Sequence, residues 1–166
     1  MSFGIEVTPV PLHGPAPWLS YRRDLLRAPD EPAGPGIGPS DRDRILIIED
    51  DLLVASQIQA ALTEAGFEVV GAVTTGEEAI ELASAEPPAL AVIDIKLAGD
   101  RDGVDTAIEL FRTHGIRCIF ASAYSDREAR RRAEPAAPVG WLQKPYTMTS
   151  LTELVRSALR ELRAKK

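Results

Sequence analysis

Seven polar side chains follow or end four short apolar segments of this 166-residue chain, and together they could perform phosphoryl chemistry. They are Glu49, Asp50 and Asp51 after residues 45–48, Asp94 and Lys96 around the end of 89–95, Ser122 after 116–121, and Lys144 after 139–143. Carboxylates that converge from two strands repel one another, and a hard divalent cation such as Mg²⁺ relieves that repulsion. A carboxylate beside a metal ion, a lysine and a hydroxyl suit phosphoryl transfer to an aspartate nucleophile.

Each of these features is weak evidence by itself. An acidic run after a strand is often a solvated loop or the charged first turn of a helix. A serine at such a position usually caps a helix, and a lysine usually faces solvent. Their shared position carries the interpretation, because ligands of open α/β sheets bind outside the carboxyl ends of the strands.

The elements that would bring these side chains together alternate along the chain from Arg44 onward. Apolar segments typical of buried parallel strands lie at 45–48, 67–73, 89–95, 116–121 and 139–143. Segments with helical spacing follow them at 52–65, 75–83, 103–113, 125–132 and 148–163. Right-handed crossovers between successive strands then predict a parallel sheet with helices on both faces.

Proline is concentrated at the start of the chain, where eight of the 13 prolines precede Asp41. We therefore predict that residues 1–43 form a Pro/Gly-rich extension, largely irregular, and that residues 44–166 form one domain. Within the extension, Trp18, Tyr21 and Leu25 share one face of a short helix. This helix would be either a frayed element of a disordered tail or a docking segment.

Composition excludes several classes of protein. The net charge of −6 and the pI near 5.0 argue against a general nucleic-acid-binding protein. No apolar run is long enough to cross a membrane, and the first twenty residues lack the features of a secretory signal. The single cysteine, Cys118, excludes an internal disulfide framework. These observations predict a soluble, cytoplasmic protein.

Four motifs together resemble the receiver domain of bacterial response regulators. They are Ile-Leu-Ile-Ile-Glu-Asp-Asp (45–51), Val-Ile-Asp-Ile-Lys-Leu (92–97), Ile-Phe-Ala-Ser-Ala (119–123) and Trp-Leu-Gln-Lys-Pro-Tyr (141–146). The resemblance covers about residues 43–163. It implies a flavodoxin-like (CheY-like) doubly wound α/β fold with a five-stranded parallel sheet in the order 2-1-3-4-5. The motifs at 94–103 and 120–123 are most similar to receivers of α-proteobacterial sensory and stress pathways.

The resemblance also implies which residues would bind Mg²⁺ and phosphate. Asp94 corresponds to the phosphoacceptor, and Asp50 corresponds to the direct Mg²⁺ ligand. Glu49 corresponds to the second acidic residue, which usually acts through water, and the main-chain carbonyl of Lys96 corresponds to the third protein ligand. Asp94 itself would complete the metal site.

Three further positions correspond to the phosphoryl-pairing and switch residues of the family. Ser122 matches the switch hydroxyl, and Lys144 matches the lysine that pairs with the phosphoryl group. Trp141 occupies the place of the switch aromatic residue, which is often Tyr or Phe. The Lys144–Pro145 peptide bond is expected to be cis, as in the family.

The implied function is that of a single-domain response regulator rather than an enzyme. Only 22 residues follow Lys144, so we expect no output domain after the receiver. A sensor histidine kinase or a histidine phosphotransfer protein would supply the phosphoryl group in a Mg²⁺-dependent reaction. Phosphorylation would switch binding of a downstream protein, or formation of a homodimer, through the face formed by 125–133, 139–143 and 147–163. No nucleic-acid or membrane partner is expected.

Two alternative functions remain open from the sequence. A phosphatase of the haloacid dehalogenase type also uses an aspartate nucleophile with Mg²⁺, but it needs a second aspartate two residues later, where this chain has Lys96. A nucleic-acid-binding module could be built on the arginine-rich helix at 127–132. The acidic character of the whole chain opposes that second alternative.

Overall fold

The structure is a computed structural model that describes residues 43–123 and 127–165 of the chain. Almost all of the predicted extension at 1–43, including the segment with Trp18, Tyr21 and Leu25, lies outside the described residues. The domain boundary near residue 43 and the role of the extension therefore remain predictions.

Strands and helices alternate throughout the described residues. The strands are β1 (Arg44–Ile48), β2 (Glu68–Val73), β3 (Leu90–Asp94), β4 (Arg117–Ser122) and β5 (Gly140–Gln143). The α-helices are α1 (Leu52–Glu64), α2 (Gly76–Ala85), α3 (Gly103–His114), α4 (Arg127–Ala133) and α5 (Met148–Ala164), and a 3-10 turn at Glu134–Ala136 follows α4. Every predicted strand and helix is present within a few residues of its predicted bounds, although residues 125 and 126 lie outside the described ranges.

The five strands form one parallel sheet in the order β2-β1-β3-β4-β5. This order confirms the predicted flavodoxin-like fold. It places β1 beside β3, with Ile48 opposite Ile93 at the last paired position. The residues that follow this last pair, Glu49 just after β1 and Asp94 at the end of β3, consequently lie side by side at the carboxyl edge of the sheet.

Both faces of the sheet are covered, which explains why β1 is apolar at successive positions. Ile45 and Ile47 pack with residues of α1 and α5 on one face. Leu46 and Ile48 pack with residues of α2, α3 and α4 on the other. Because side chains alternate between the two faces of a strand, a strand buried on both faces needs an uninterrupted apolar run.

Capping residues mark where two of the helices begin and where one of them ends. The Asp51 side chain accepts hydrogen bonds from the backbone N–H groups of Leu53 and Val54 at 2.9 and 3.2 Å, and it therefore caps the start of α1. Asp102 caps α3 in the same way by accepting from the N–H of Asp105 at 2.9 Å. Gly115 ends α3 with a φ of 68°, a left-handed conformation that favours glycine. These caps fix where α1 and α3 begin and where α3 ends.

Candidate phosphoacceptor site

Three of the predicted acidic residues meet at the carboxyl edge of the sheet. Glu49, Asp50 and Asp94 each offer a carboxylate oxygen, and these oxygens lie within 4.8 Å of one another. Glu49 is buried, with 3% of its surface exposed, whereas Asp50 is exposed. Asp51 is turned away from this group because it caps α1. The acidic run at 49–51 therefore divides into two cluster carboxylates and one structural cap.

Lys144 lies opposite this cluster and bridges two of its carboxylates. Its Nζ lies 2.6 Å from Asp94 Oδ2 and 3.1 Å from Glu49 Oε2. The lysine side chain is 29% exposed and that of Asp94 is 11% exposed, so the contact is shielded from most of the solvent. The lysine directly follows β5, and its ammonium reaches the carboxylates of Glu49, just after β1, and of Asp94, at the end of β3.

Backbone amides fix the remaining oxygens of both bridged carboxylates. The N–H of Asp51 donates to Glu49 Oε1 at 3.2 Å, and the N–H of Lys96 donates to Asp94 Oδ1 at 3.2 Å. Each carboxylate thus has one oxygen on the lysine and the other on a main-chain donor. This arrangement holds both carboxylates in place.

The surroundings shift the protonation equilibria of Glu49 and Lys144. Burial raises the pKa of Glu49, and the nearby Asp94 carboxylate raises it further, against the opposing effects of the hydrogen bond from the Asp51 N–H and of Lys144. Burial lowers the pKa of Lys144, but its hydrogen bonds and charge interactions with Asp94 and Glu49 outweigh burial and raise it. The lysine therefore stays protonated, and the cluster retains an excess of negative charge.

The raised pKa of Glu49 predicts how folding stability depends on pH when divalent cations are removed. The folded state holds a proton on Glu49 more tightly than the unfolded chain does, so folding stability falls as pH rises above the ordinary value of 4.5. We expect Glu49→Gln to become more stable relative to the wild type as pH rises above 4.5. Urea unfolding at several pH values in EDTA measures the difference. The exposed control Glu81→Gln should give no such trend, and a parallel trend in both variants would contradict the prediction.

The composition of the cluster fits a hard divalent cation. Three carboxylates face one ammonium group, and oxygen ligands of this kind are those that Mg²⁺ binds in proteins. Glu49, Asp50 and Asp94 are the side chains that would hold the ion. The predicted contribution of the Lys96 carbonyl stays a prediction.

The two predicted switch residues, Ser122 and Trp141, contact residues outside this cluster. The Ser122 hydroxyl donates to the carbonyl of Ala123 at 3.0 Å, and no hydrogen bond joins it to Asp94 within the described residues. The Trp141 ring stacks on Phe120 with centroids 4.7 Å apart and planes inclined by 24°. The guanidinium of Arg130 lies over the same ring, 4.6 Å from its centroid. The structure thus shows Trp141 packed between β4 and α4.

Two features near the site were not anticipated from the sequence. Gly103 packs directly on the backbone of β3, where a Cβ would lie 1.9 Å from the carbonyl oxygen of Asp94. The Tyr146 hydroxyl is buried and has no hydrogen-bond partner among the described residues. A glycine at the first position of a helix was the available signal for the close contact, since only glycine allows it.

Outside the cluster, Cys118 is buried in β4, and burial raises the pKa of its thiol to about 12, so it stays protonated and unreactive at neutral pH. In α4, Arg131 pairs with Glu128 at 2.9 Å, and Arg132 pairs with Asp102 at 2.8 Å. These intramolecular pairs occupy charges that a nucleic-acid-binding helix would present to phosphates. The nucleic-acid alternative is therefore not favoured.

The sheet order, with an acidic cluster where β1 and β3 end, defines a CheY-like doubly wound α/β protein. The family model for the response regulator receiver domain matches residues 45–156. The chain belongs to this family of two-component signalling proteins.

Two curated relatives extend the comparison. The transcriptional regulatory protein PdtaR of Mycobacterium tuberculosis is 36% identical over 124 residues, which cover 73% of this chain and 60% of the relative. The phyllosphere-induced regulator PhyR of Methylorubrum extorquens is 34% identical over 143 residues, which cover 85% of this chain and 51% of the relative. The matched regions thus span little more than half the length of these two relatives.

Solved structures agree with the fold. The receiver domain of a modulated diguanylate cyclase from Desulfovibrio desulfuricans has a TM-score of 0.69 and 32% identity, covering 74% of this chain and 98% of that structure. A CheY-like receiver from Methanospirillum hungatei has a TM-score of 0.70 and 26% identity, covering 75% and 98%. Among the described residues, no helix is long and apolar enough to span a bilayer.

Proposed function

We propose that this chain is a phosphorylation-controlled switch in which Asp94 accepts a phosphoryl group from a histidine kinase or a histidine phosphotransfer protein. The observation that carries the proposal is the bridge from Lys144 to Asp94 and Glu49 within the three-carboxylate cluster. Family membership supports it, because receivers of two-component systems take phosphate from such donors.

In the proposed reaction, an Asp94 carboxylate oxygen attacks the phosphorus of a phosphohistidine. The new P–O bond forms as the P–N bond breaks, and the imidazole nitrogen leaves with the electron pair. Lys144 Nζ, which now neutralises Asp94, would move to an oxygen of the arriving phosphoryl group and remain paired with Glu49. A Mg²⁺ ion held by Glu49, Asp50 and Asp94 would supply further electrostatic stabilisation of the phosphoryl oxygens.

The edge of α1 next to the cluster offers a surface for the phosphodonor. Leu52 and Leu53 are the two large apolar side chains with high exposure among the described residues, at 72% and 68%. They begin α1 directly after Asp50 and Asp51. Apolar side chains at the mouth of a site suit contact with an apolar face of a partner protein, so we place the phosphodonor there.

The proposal assigns the output to the face formed by α4, β5 and α5. A phosphoryl group on Asp94 would draw the Ser122 hydroxyl inward and change the space beside β4. Trp141 packs on β4 through Phe120, so it would respond to that change together with Arg130 above it. A downstream protein or a second copy of the chain would bind this face.

Asp50 is expected to be essential for metal binding. Asp50→Ala removes a charged oxygen ligand, and we expect its Mg²⁺ affinity to fall by about tenfold or more, since loss of even an indirect ligand partner costs about 10–100-fold. Calorimetric titration with MgCl₂ measures this affinity. The matched control Asp100→Ala, an exposed acid outside the cluster, should bind as the wild type does. Equal affinity in wild type and Asp50→Ala would contradict the metal assignment.

The experiment that tests the proposed function uses acetyl phosphate as a small phosphodonor. Intact-mass measurement should detect one added phosphoryl group per chain with Mg²⁺ present and almost none in EDTA. No added mass with Mg²⁺ would refute the proposal.

A further inference from the structure

Helix α4 is tied to the rest of the domain by two arginine contacts. Arg130 lies over the Trp141 ring of β5, and Arg132 reaches across to α3. In the second contact, Arg132 pairs with two carboxylates, because its Nη2 lies 2.8 Å from Asp102 Oδ2 and 3.2 Å from Asp105 Oδ1. The helix is therefore connected both to β5 and to the start of α3.

The carboxylate of Asp102 is held firmly at both oxygens. One oxygen accepts the N–H of Asp105 as the cap of α3, and the other accepts the guanidinium of Arg132. A side chain fixed in this way transmits a displacement of its own backbone to its partner, because little rotamer freedom remains to absorb it.

The backbone that carries Asp102 is in turn fixed to the phosphoacceptor strand. The N–H of Gly103 donates to the carbonyl of Ile95 at 2.9 Å, and Gly103 lies so close to the Asp94 carbonyl that no Cβ would fit. The N–H of Lys96 donates to the Asp94 carboxylate itself. Both ends of the loop at 95–102 are therefore held against Asp94 and Ile95.

We propose that Arg132 couples this loop to α4, so that phosphorylation of Asp94 reaches the output face by a route that does not pass through Ser122. A phosphoryl group on Asp94 displaces the Lys96 amide and the adjacent loop. The displacement then passes through Asp102 to Arg132 and changes the position of α4. This inference rests on the proposed phosphorylation of Asp94.

Hydrogen exchange with and without Mg²⁺ and beryllofluoride, a phosphoryl mimic, tests the coupling. Loss of Arg132 in Arg132→Gln should raise exchange of α4 amides about twofold to fivefold without beryllofluoride, the effect of one partly exposed ion pair. In Ser122→Ala, α4 should retain part of its response to beryllofluoride. The double variant Ser122→Ala/Arg132→Gln should lose that remaining response.

Arg131→Gln is the matched control, because Arg131 pairs with Glu128 within α4 and not with α3. It should keep the wild-type response to beryllofluoride. An α4 response that is unchanged in Arg132→Gln, or already absent in Ser122→Ala, would overturn the coupling.

Intact mass after incubation with acetyl phosphate separates this inference from the proposed function. Wild type and Arg132→Gln should gain the same phosphoryl mass, since Arg132 lies outside the carboxylate cluster. A normal mass gain with no beryllofluoride response in α4 of the wild type would refute the coupling alone. No mass gain would refute the phosphoacceptor function as well.

Discussion

Asp94→Asn is expected to abolish phosphoryl acceptance from acetyl phosphate, with intact mass showing less than about one-hundredth of the wild-type product, the scale on which loss of a nucleophile acts. The reason is chemical: a carboxamide cannot form the acyl phosphate, whereas its shape still fits beside Lys144. We expect the fold to remain intact, because the amide oxygen can still accept from the Lys96 N–H in the place of Oδ1, and Lys144 keeps its ion pair with Glu49.

The control for this variant is Asp100→Asn, which changes an exposed acid six residues further along the same loop region. It should accept phosphate as the wild type does. Phosphoryl mass retained on Asp94→Asn would show that another residue is the acceptor.

Lys144→Met should produce the largest change in stability among single substitutions in the cluster. It removes the cation between Glu49 and Asp94 and leaves two shielded carboxylates facing each other. Removal of one partner of a fully buried ion pair costs about 3–5 kcal/mol. We expect about 1–3 kcal/mol at neutral pH, because Lys144 is 29% exposed and solvent screens such pairs.

The loss of folding stability in Lys144→Met should depend on pH and on the presence of Mg²⁺. Without the lysine, the pKa of Glu49 rises further, so the folded state gains stability as pH falls and the deficit grows as pH rises. Urea unfolding with EDTA and with MgCl₂ measures both effects, and Mg²⁺ should restore part of the loss. Lys96→Met is the control, because Lys96 contacts Asp94 through its backbone amide. Equal unfolding midpoints in the two variants would contradict this account.

The fold was predictable because the sequence repeats one physical pattern five times. An apolar run such as 45–48 is removed from water only when the strand is buried on both faces of the sheet. A glycine such as Gly115 ends the helix that precedes the next strand. The strand order came from the family resemblance rather than from the periodicity. The cis bond between Lys144 and Pro145 is present as the resemblance implied.

The sequence indicates which residues form the candidate site, but it does not indicate which atoms each of them contacts. Three consecutive acids at 49–51 look alike in the sequence, and only the backbone geometry separates the Asp51 cap from the cluster residues. The Ser122 hydroxyl points to a neighbouring carbonyl because its rotamer depends on tertiary packing. Arg132 and Asp102 pair although they lie 30 positions apart in the sequence, and nothing in the local sequence around either residue indicates its partner.

The most direct test of the central claim is to locate the phosphoryl group on the wild-type chain. After reaction with acetyl phosphate and Mg²⁺, borohydride converts an aspartyl phosphate to homoserine, which peptide mass spectrometry identifies at its position. The account predicts homoserine at position 94 and nowhere else. Homoserine at Asp50 or Asp51, or phosphate retained on a serine or threonine, would contradict it.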